Sequence, residues 1–100
     1  MFIILVRYIQ SPTVVEKYYS EHHKFLDRHY ATGKFVASGP QVPRIGGVIL
    51  AHAASRRALD EVVSEDPFYR ERVAQYEIIE FSPNKFAAGA RTVLSPDASP

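Results

Sequence analysis

A run of branched and aromatic side chains spans residues 2–9 and ends at Ser11-Pro12. A short apolar run that stops at a turn signal is typical of a β-strand. Its alternating positions are apolar on both faces, and only Arg7 interrupts the second face. A strand that is apolar on both faces needs to be covered on both faces.

Helical periodicity follows over residues 13–32. Thr13 is placed to cap this helix, with Glu16 three residues later as its reciprocal partner, and Gly33 stands where a helix-ending glycine belongs. The spacing predicts one continuous amphipathic helix. Its apolar face repeats at steps of three and four residues and consists of Val15, Tyr18, His22, Phe25, Leu26 and His29.

Shorter elements fill the rest of the chain. Strands are predicted at residues 34–37, 48–53 and 76–81, with a second helix after the capping residue Ser55 and a short helical turn at residues 68–73. The order is β-α-β-β-α-β, which is the ferredoxin-like arrangement of an antiparallel four-stranded sheet with two helices on one face. The predicted fold class is therefore α+β.

This arrangement leaves one face of the sheet without a cover. Two helices cover only one side, whereas the first and last strands carry apolar residues on both sides. A large exposed apolar patch is unusual on a soluble monomer. We therefore expect a homodimer, or a higher homo-oligomer, in which the bare faces meet to form a dimeric α/β barrel.

The end of the chain differs from the rest in composition. Residues 87–100 are mostly Ala, Gly, Ser and Pro with single charges. We therefore divide the chain into a folded domain at residues 1–86 and a tail at residues 87–100. The tail is expected to be flexible, or to be ordered only against a neighbouring subunit.

The composition narrows the class of protein further. With 100 residues, 46% hydrophobic and 23% charged, the chain is ordinary for one globular domain. A net charge of +1 without a basic stripe argues against a nucleic-acid partner. The lack of cysteine excludes disulfides and cysteine nucleophiles, and it fits a cytoplasmic location. No segment approaches the ~20 apolar residues of a membrane span, so no membrane partner is expected.

Histidines supply the first candidate chemistry. His22 and His29 share the apolar helix face, whereas His23 points about 100° away from it. His22 fits either a hydrogen-bonded core imidazole or an acid/base group, because histidine titrates near neutral pH. The spacing of His22 and His29 does not converge on one ion, so no metal site is expected. No phosphate-binding glycine motif occurs, so no nucleotide cofactor is expected either.

Asp66 precedes Pro67 at the start of the predicted helical turn. Aspartate is a preferred N-cap and proline a preferred first helical residue, so one interpretation is purely structural. The alternative is that Asp66 meets His22 in space and fixes the tautomer of its ring. Ser38 and Gly39 end the predicted second strand, where they form either a simple turn or a hydroxyl and a close backbone approach for a substrate.

The order and spacing of these residues resemble the YCII-like (YCII-related) domain family over about residues 2–86. The resemblance rests on His22, Leu26, Gly33, Ser38-Gly39-Pro40, Gly46-Gly47-Val48-Ile49, Asp66-Pro67-Phe68 and Tyr76-Glu77-Ile78 with Phe81. It implies a dimeric barrel of ferredoxin-like protomers, with a His-Asp pair that lines a pocket and is thought to be catalytic in the family. The chain departs from the family pattern at residues 42–45, which include Arg44, and after Phe86.

The resemblance carries the histidine onto His22 and the aspartate onto Asp66. It implies a small cofactor-independent enzyme in which His22 moves a proton and Asp66 orients it. Ser38 and the backbone at Gly39 would contact the substrate, and Phe68 would form an apolar wall. The reaction expected is that of a lyase, an isomerase or a dehydrohalogenase-like enzyme, acting on a small aromatic or unsaturated molecule. The alternative is a non-enzymatic module that binds a small ligand or serves in dimerisation.

Overall fold

The computed structural model describes residues 1–94 and confirms the predicted α+β, ferredoxin-like order. Within this part of the chain, the β-α-β-β-α-β frame is built from short elements, with one further short helix after the last strand. Their bounds are β1 Phe2–Tyr8, α1 Pro12–Lys17, α2 Tyr19–Ala31, β2 Phe35–Pro40, β3 Gly46–Ala51, α3 Arg56–Val63, α4 Pro67–Arg70, β4 Ala74–Glu80 and α5 Arg91–Leu94.

The four strands form one antiparallel sheet in the order β2-β3-β1-β4, with β1 at its centre. Ile4 of β1 lies opposite Ile49 of β3 on one side and Ile78 of β4 on the other. Phe2, Ile4 and Val6 share one face of β1 and are buried. They join one core with buried residues of the helices, namely Val15, Phe25, Leu26, Leu59, Val62, Val63 and Phe68.

The first helical segment differs from its prediction. Residues 13–32 were expected to form one helix capped by Thr13, but α1 and α2 are separate helices that meet at Tyr18. The cap is Ser11, whose side chain accepts a hydrogen bond from the Val14 amide at 3.4 Å, and Pro12 occupies the first turn. The break arises because the Tyr18 amide bonds to the Val15 carbonyl, three residues back, with a tighter turn than an α-helix has.

The second helical segment agrees with its prediction. Ser55 caps α3 through its hydroxyl, which accepts from the Ala58 amide at 3.1 Å. Leu59, Val62 and Val63 are the buried side chains of this helix. After a turn, Asp66 caps the short helix α4. This cap brings the end of the second helical segment back over the sheet, beside α2.

The opposite face of the sheet carries apolar side chains that remain accessible. Strand alternation places Ile3, Leu5, Val48, Leu50 and Ile79 on this face, because their neighbours in each strand face the helices. Ile79 is 43% exposed, and the other four are only half-buried. We call these five residues the open face.

The segment after β4 is described only as far as residue 94. Arg91 lies over the ring of Phe86, and the His52 ring donates a hydrogen bond from Nε2 to the Val93 carbonyl at 2.9 Å. The remainder of the tail, residues 95–100, lies outside the described residues. Throughout residues 1–94, every helix is too short or too polar to cross a membrane.

Candidate active site

His22 lies in the first turn of α2, on the side that faces the sheet, and its side chain is 12% exposed. Its ring stacks on the ring of Phe68 from α4, with centroids 4.2 Å apart and planes only 9° from parallel. Phe25, three residues further along α2, also lies beside it, with ring centroids 6.1 Å apart. The helical period thus presents His22 to α4, and two aromatic rings restrict its orientation.

Asp66 is completely buried, at 0% exposure, and every polar contact on its carboxylate is a donor. Oδ1 lies 2.8 Å from Nδ1 of His22 and 3.0 Å from the amide nitrogen of Phe68. Oδ2 accepts a hydrogen bond from the hydroxyl of Tyr76 on β4. The N-cap role and the contact with His22 are therefore not alternatives, because the same oxygen atom performs both.

This geometry has a direct consequence for the imidazole. A carboxylate accepts hydrogen bonds, so the proton of the neutral His22 ring lies on Nδ1 and Nε2 keeps its lone pair. Nε2 has no hydrogen-bond partner within residues 1–94, and it remains accessible. His22 is therefore oriented at one nitrogen and available to a proton at the other.

Tyr76 supports the carboxylate from the strand side. Burial is the largest cause that raises the pKa of the Tyr76 hydroxyl above its ordinary value, and the charge of Asp66 and the hydrogen bond to it act in the same direction. The phenol therefore stays protonated and continues to donate to Asp66. Asp66 thus has donors from a helix side chain, a backbone amide and a strand side chain.

The structure places Ser38, Gly39 and Phe68 on the wall of one small cavity that His22 also lines. Its volume is about 40 Å³, which is enough for roughly one water molecule. Asp66 does not line this cavity, because it lies behind His22. The hydroxyl of Ser38 is 2.6 Å from that of Tyr30, which sequence reasoning did not single out. The remaining lining residues are Val6, Tyr8, Leu26, Gly47, Val48 and Ile49.

A much larger chamber, about 940 Å³, adjoins this cavity through Tyr8, which lines both. The Tyr8 ring meets the ring of Phe68 edge-on, with centroids 5.8 Å apart. The small cavity beside the imidazole therefore has room for about one non-hydrogen atom or one water molecule, whereas the chamber has room for a whole small molecule. The other residues that line the chamber are Arg7, Gln10, Pro12, Val15, Glu16, Tyr19, Arg44 and Ile45.

The other histidines of the helix lie elsewhere. His23 is exposed and contacts the Tyr19 ring, with centroids 4.4 Å apart. His29 is buried, and its Nε2 lies 3.1 Å from a carboxylate oxygen of Glu65. Within residues 1–94, no three side chains of His, Cys, Asp or Glu come together in a way that could hold one metal ion.

Sequence reasoning missed two tyrosines of the site, Tyr8 and Tyr76. Both are on strands and face the helices, since Tyr76 lies opposite Val6, and Tyr8 follows Val6 by two residues on the same face of β1. The available signal was a polar hydroxyl on the core face of each strand, which needs a partner when it is buried. Only the register between β1 and β4 shows that this partner is Asp66 for Tyr76.

Comparison with known proteins gives the family and the fold. The YCII-related domain matches residues 1–82, so the chain belongs to the YCII-related domain family. Among solved structures, it is similar to 5-chloro-2-hydroxyhydroquinone dehydrochlorinase (TftG) from Burkholderia phenoliruptrix AC1100, in complex with 2,5-dihydroxybenzoquinone. That likeness has a TM-score of 0.68 at 18% identity and covers 84% of this chain and 96% of the other. The search of curated proteins found no match.

Proposed function

We propose that this protein is a small cofactor-independent enzyme in which His22 transfers a proton to or from a small unsaturated or aromatic substrate. The observation that carries the proposal is the hydrogen bond between Nδ1 of His22 and the buried carboxylate of Asp66. It leaves Nε2 as the nitrogen that can act as a base. Membership of the YCII-related family and the fold shared with a dehydrochlorinase support this class of reaction.

In the proposed step, the lone pair on Nε2 takes a proton from an acidic C–H or O–H bond of the substrate. The electron pair of that bond moves into the conjugated system of the substrate. In a lyase, this electron pair then expels a leaving group from the substrate. In an isomerase, the protonated His22 instead returns the proton to another carbon of the substrate. Asp66 stabilises the imidazolium that forms, because its carboxylate accepts the hydrogen bond of the protonated Nδ1 throughout the step.

The neighbouring residues have supporting roles in this proposal. Phe68 holds the imidazole plane by stacking, and Ser38 with the backbone at Gly39 contacts the substrate at the small cavity. Tyr76 is a positioning residue, because it contacts Asp66 and reaches His22 only through that carboxylate.

The experiment is proton exchange measured on a panel of hydroxylated and halogenated aromatic compounds. Deuterium incorporation from D₂O and halide release are followed for the wild type, His22→Asn and the matched control His23→Asn. His23 is the neighbouring histidine but is exposed and does not contact Asp66. We expect at least one compound to react, His22→Asn to abolish its reaction, and His23→Asn to leave it within about twofold. Equal rates for His22→Asn and the wild type would overturn the proposal.

A second candidate function is a binding module without turnover. The observation that favours it is the chamber of about 940 Å³, which could bind a ligand without any proton transfer. The same panel separates the two functions. Saturable binding of a compound that shows neither exchange nor halide release, in the wild type and in both variants, would favour the binding module.

We also propose that the protein is a homodimer whose open faces meet. The support is the set of five apolar side chains on the sheet face opposite the helices, of which Ile79 is the most exposed. Packing two such faces together would remove these side chains from water and complete an α/β barrel.

A further inference from the structure

The chamber beside the candidate active site combines apolar and aromatic walls with charged groups. Tyr8, Val15, Tyr19 and Ile45 line it, and its volume of about 940 Å³ lies in the range of small-molecule pockets. Aromatic walls of this kind favour a flat, apolar ligand body. The charged residues of the lining then determine which substituents on such a ligand are bound favourably.

Among these charged residues, Arg44 is available to pair with a ligand. Its guanidinium lies over the Tyr19 ring, 5.9 Å from the centroid, which orients it by a cation–π contact. It is exposed, and it forms no ion pair within residues 1–94. The lining carries one further cation, Arg7, against one acid, Glu16, so the charges favour an anion. An arginine without an acidic partner is a fork of donors suited to a carboxylate or similar oxyanion.

Arg44 is also held close to the site by the backbone. The amide of Tyr8 donates to the carbonyl of Ile45 at 3.0 Å, so the loop that carries Arg44 is joined directly to the end of β1. Gly46 makes this approach possible, because a Cβ atom there would lie 1.7 Å from the Val6 carbonyl oxygen. The guanidinium is therefore presented beside Tyr8 by a fixed turn.

The hydroxyl of Tyr8 supplies a neutral hydrogen-bond donor beside the guanidinium of Arg44. Burial raises the pKa of its hydroxyl above the ordinary value, and the nearby charge of Arg44 opposes this effect only in part. The hydroxyl therefore stays protonated at neutral pH and can donate a hydrogen bond. The Tyr8 ring contacts Phe68, which stacks on His22. Tyr8 also lines both the chamber and the small cavity at His22, so the residue joins the two spaces.

We propose that the chamber binds a planar ring that carries an anionic oxygen group, and that Arg44 with the Tyr8 hydroxyl recognises this group. The proposal deepens the proposed function and rests on it, since it names the substrate class for the proton transfer at His22. A neutral ring of the same shape binds more weakly because the guanidinium then has no anion to pair with. Arg44 is thus the residue that determines specificity.

The test compares two probes that differ only in charge, 2,5-dihydroxybenzoate and 2,5-dihydroxybenzamide. Dissociation constants are measured at pH 7 by titration followed in ¹H–¹⁵N spectra of the full chain. Three proteins are compared: the wild type, Arg44→Gln, and the control Arg57→Gln. Arg57 is exposed on α3, outside the chamber, and forms no ion pair within residues 1–94, so its replacement removes the same charge elsewhere.

We expect the wild type and Arg57→Gln to bind the carboxylate about tenfold more tightly than the amide, as one charge-assisted hydrogen bond provides. In Arg44→Gln this preference should fall to within about twofold. Equal affinities in the wild type, no saturable carboxylate binding, or an equal loss in Arg57→Gln would overturn the proposal. Binding is measured without turnover, so a charge preference that persists while His22→Asn retains full activity would refute the proposed function alone.

Discussion

The hydroxyl of Tyr76 donates a hydrogen bond to the carboxylate of Asp66, and both groups are largely removed from water. This contact joins the last strand of the sheet to the cap of α4. The opposite oxygen of the same carboxylate holds Nδ1 of His22. The orientation of the imidazole therefore depends on a phenol that does not touch it.

Replacing Tyr76 by phenylalanine tests this dependence. The variant leaves one oxygen of a buried carboxylate without a donor, so we expect a loss of about 1–3 kcal/mol in the free energy of unfolding. We also expect kcat to fall at least severalfold with little change in KM, because Tyr76 lines neither the small cavity at His22 nor the chamber. Urea unfolding and steady-state kinetics measure the two effects.

The matched control is Tyr69→Phe. Tyr69 packs edge-on against the Tyr76 ring, but it is 50% exposed and its hydroxyl has no hydrogen-bond partner within residues 1–94. Its replacement should change stability by no more than about 0.5 kcal/mol. If the two variants behave alike, the hydroxyl of Tyr76 does not support Asp66.

The raised pKa of Tyr76 predicts how stability changes in alkali. Above its ordinary value of 10.0, the unfolded chain loses the phenol proton while the folded chain keeps it. The folded state then binds more protons, so the free energy of unfolding decreases as pH rises, by up to about 1.4 kcal/mol per pH unit for this group. Below that pH, Tyr76 contributes no pH dependence.

Denaturant unfolding at pH 9, 10 and 11 measures this decrease. Tyr76→Phe has no phenol at this position, so its stability should fall less steeply than that of the wild type above pH 10. The difference between the two slopes isolates Tyr76 from the other alkaline titrations. Parallel curves for the two proteins would mean that Tyr76 ionises as readily in the folded state as in the unfolded chain.

The open face predicts the oligomeric state. At micromolar concentration, sedimentation equilibrium should give the mass of a dimer or larger assembly. Leu5→Glu places a charge at the centre of this face, opposite Val48, and should yield a folded monomer. Val42→Glu, on a loop position that is 96% exposed, should leave the assembly unchanged. A well-folded monomeric wild type would contradict the prediction.

We predict that removing the tail has only a small effect on the free energy of unfolding. Removing residues 87–100 should leave the fold intact, since within the described part Val93 is exposed and the hydrogen bond from His52 to its carbonyl lies at the surface. We expect a loss of no more than about 1.5 kcal/mol in thermal or denaturant unfolding. A loss of several kcal/mol would be large against total stabilities of about 5–15 kcal/mol and would assign the tail to the folded domain.

Much of the fold follows from local patterns in the chain. The apolar alternation of residues 2–9 predicts a strand with two apolar faces, and Ser55 and Asp66 cap the helices that follow them. The helix over residues 13–32 was predicted as continuous because the side-chain spacing runs unbroken through Tyr18. Its break is a backbone event, visible only in the hydrogen bond from Tyr18 to Val15.

The site could be predicted only in part, because two of its residues are brought to it by strand register and not by a local pattern. Helical phase places His22 on the inner side of α2, and the family resemblance pairs it with Asp66, 44 residues away. Tyr8 and Tyr76 lie at the site because the register between β1 and β4 places them on the face that packs against the helices. One residue of slip between β1 and β4 would move Tyr76 to the open face, and no local pattern excludes that slip.

The pairing of His22 with Asp66 is tested most directly by the tautomer of His22, measured in long-range ¹H–¹⁵N spectra of the histidine rings. We predict that the neutral ring of His22 carries its proton on Nδ1 in the wild type, with Nε2 unprotonated. In Asp66→Asn, whose side chain still caps α4 but can turn its amide towards the ring, this preference should weaken or reverse. A wild-type His22 protonated mainly on Nε2 would contradict this prediction, because the nitrogen that faces away from Asp66 would then already carry a proton and could not accept one from a substrate.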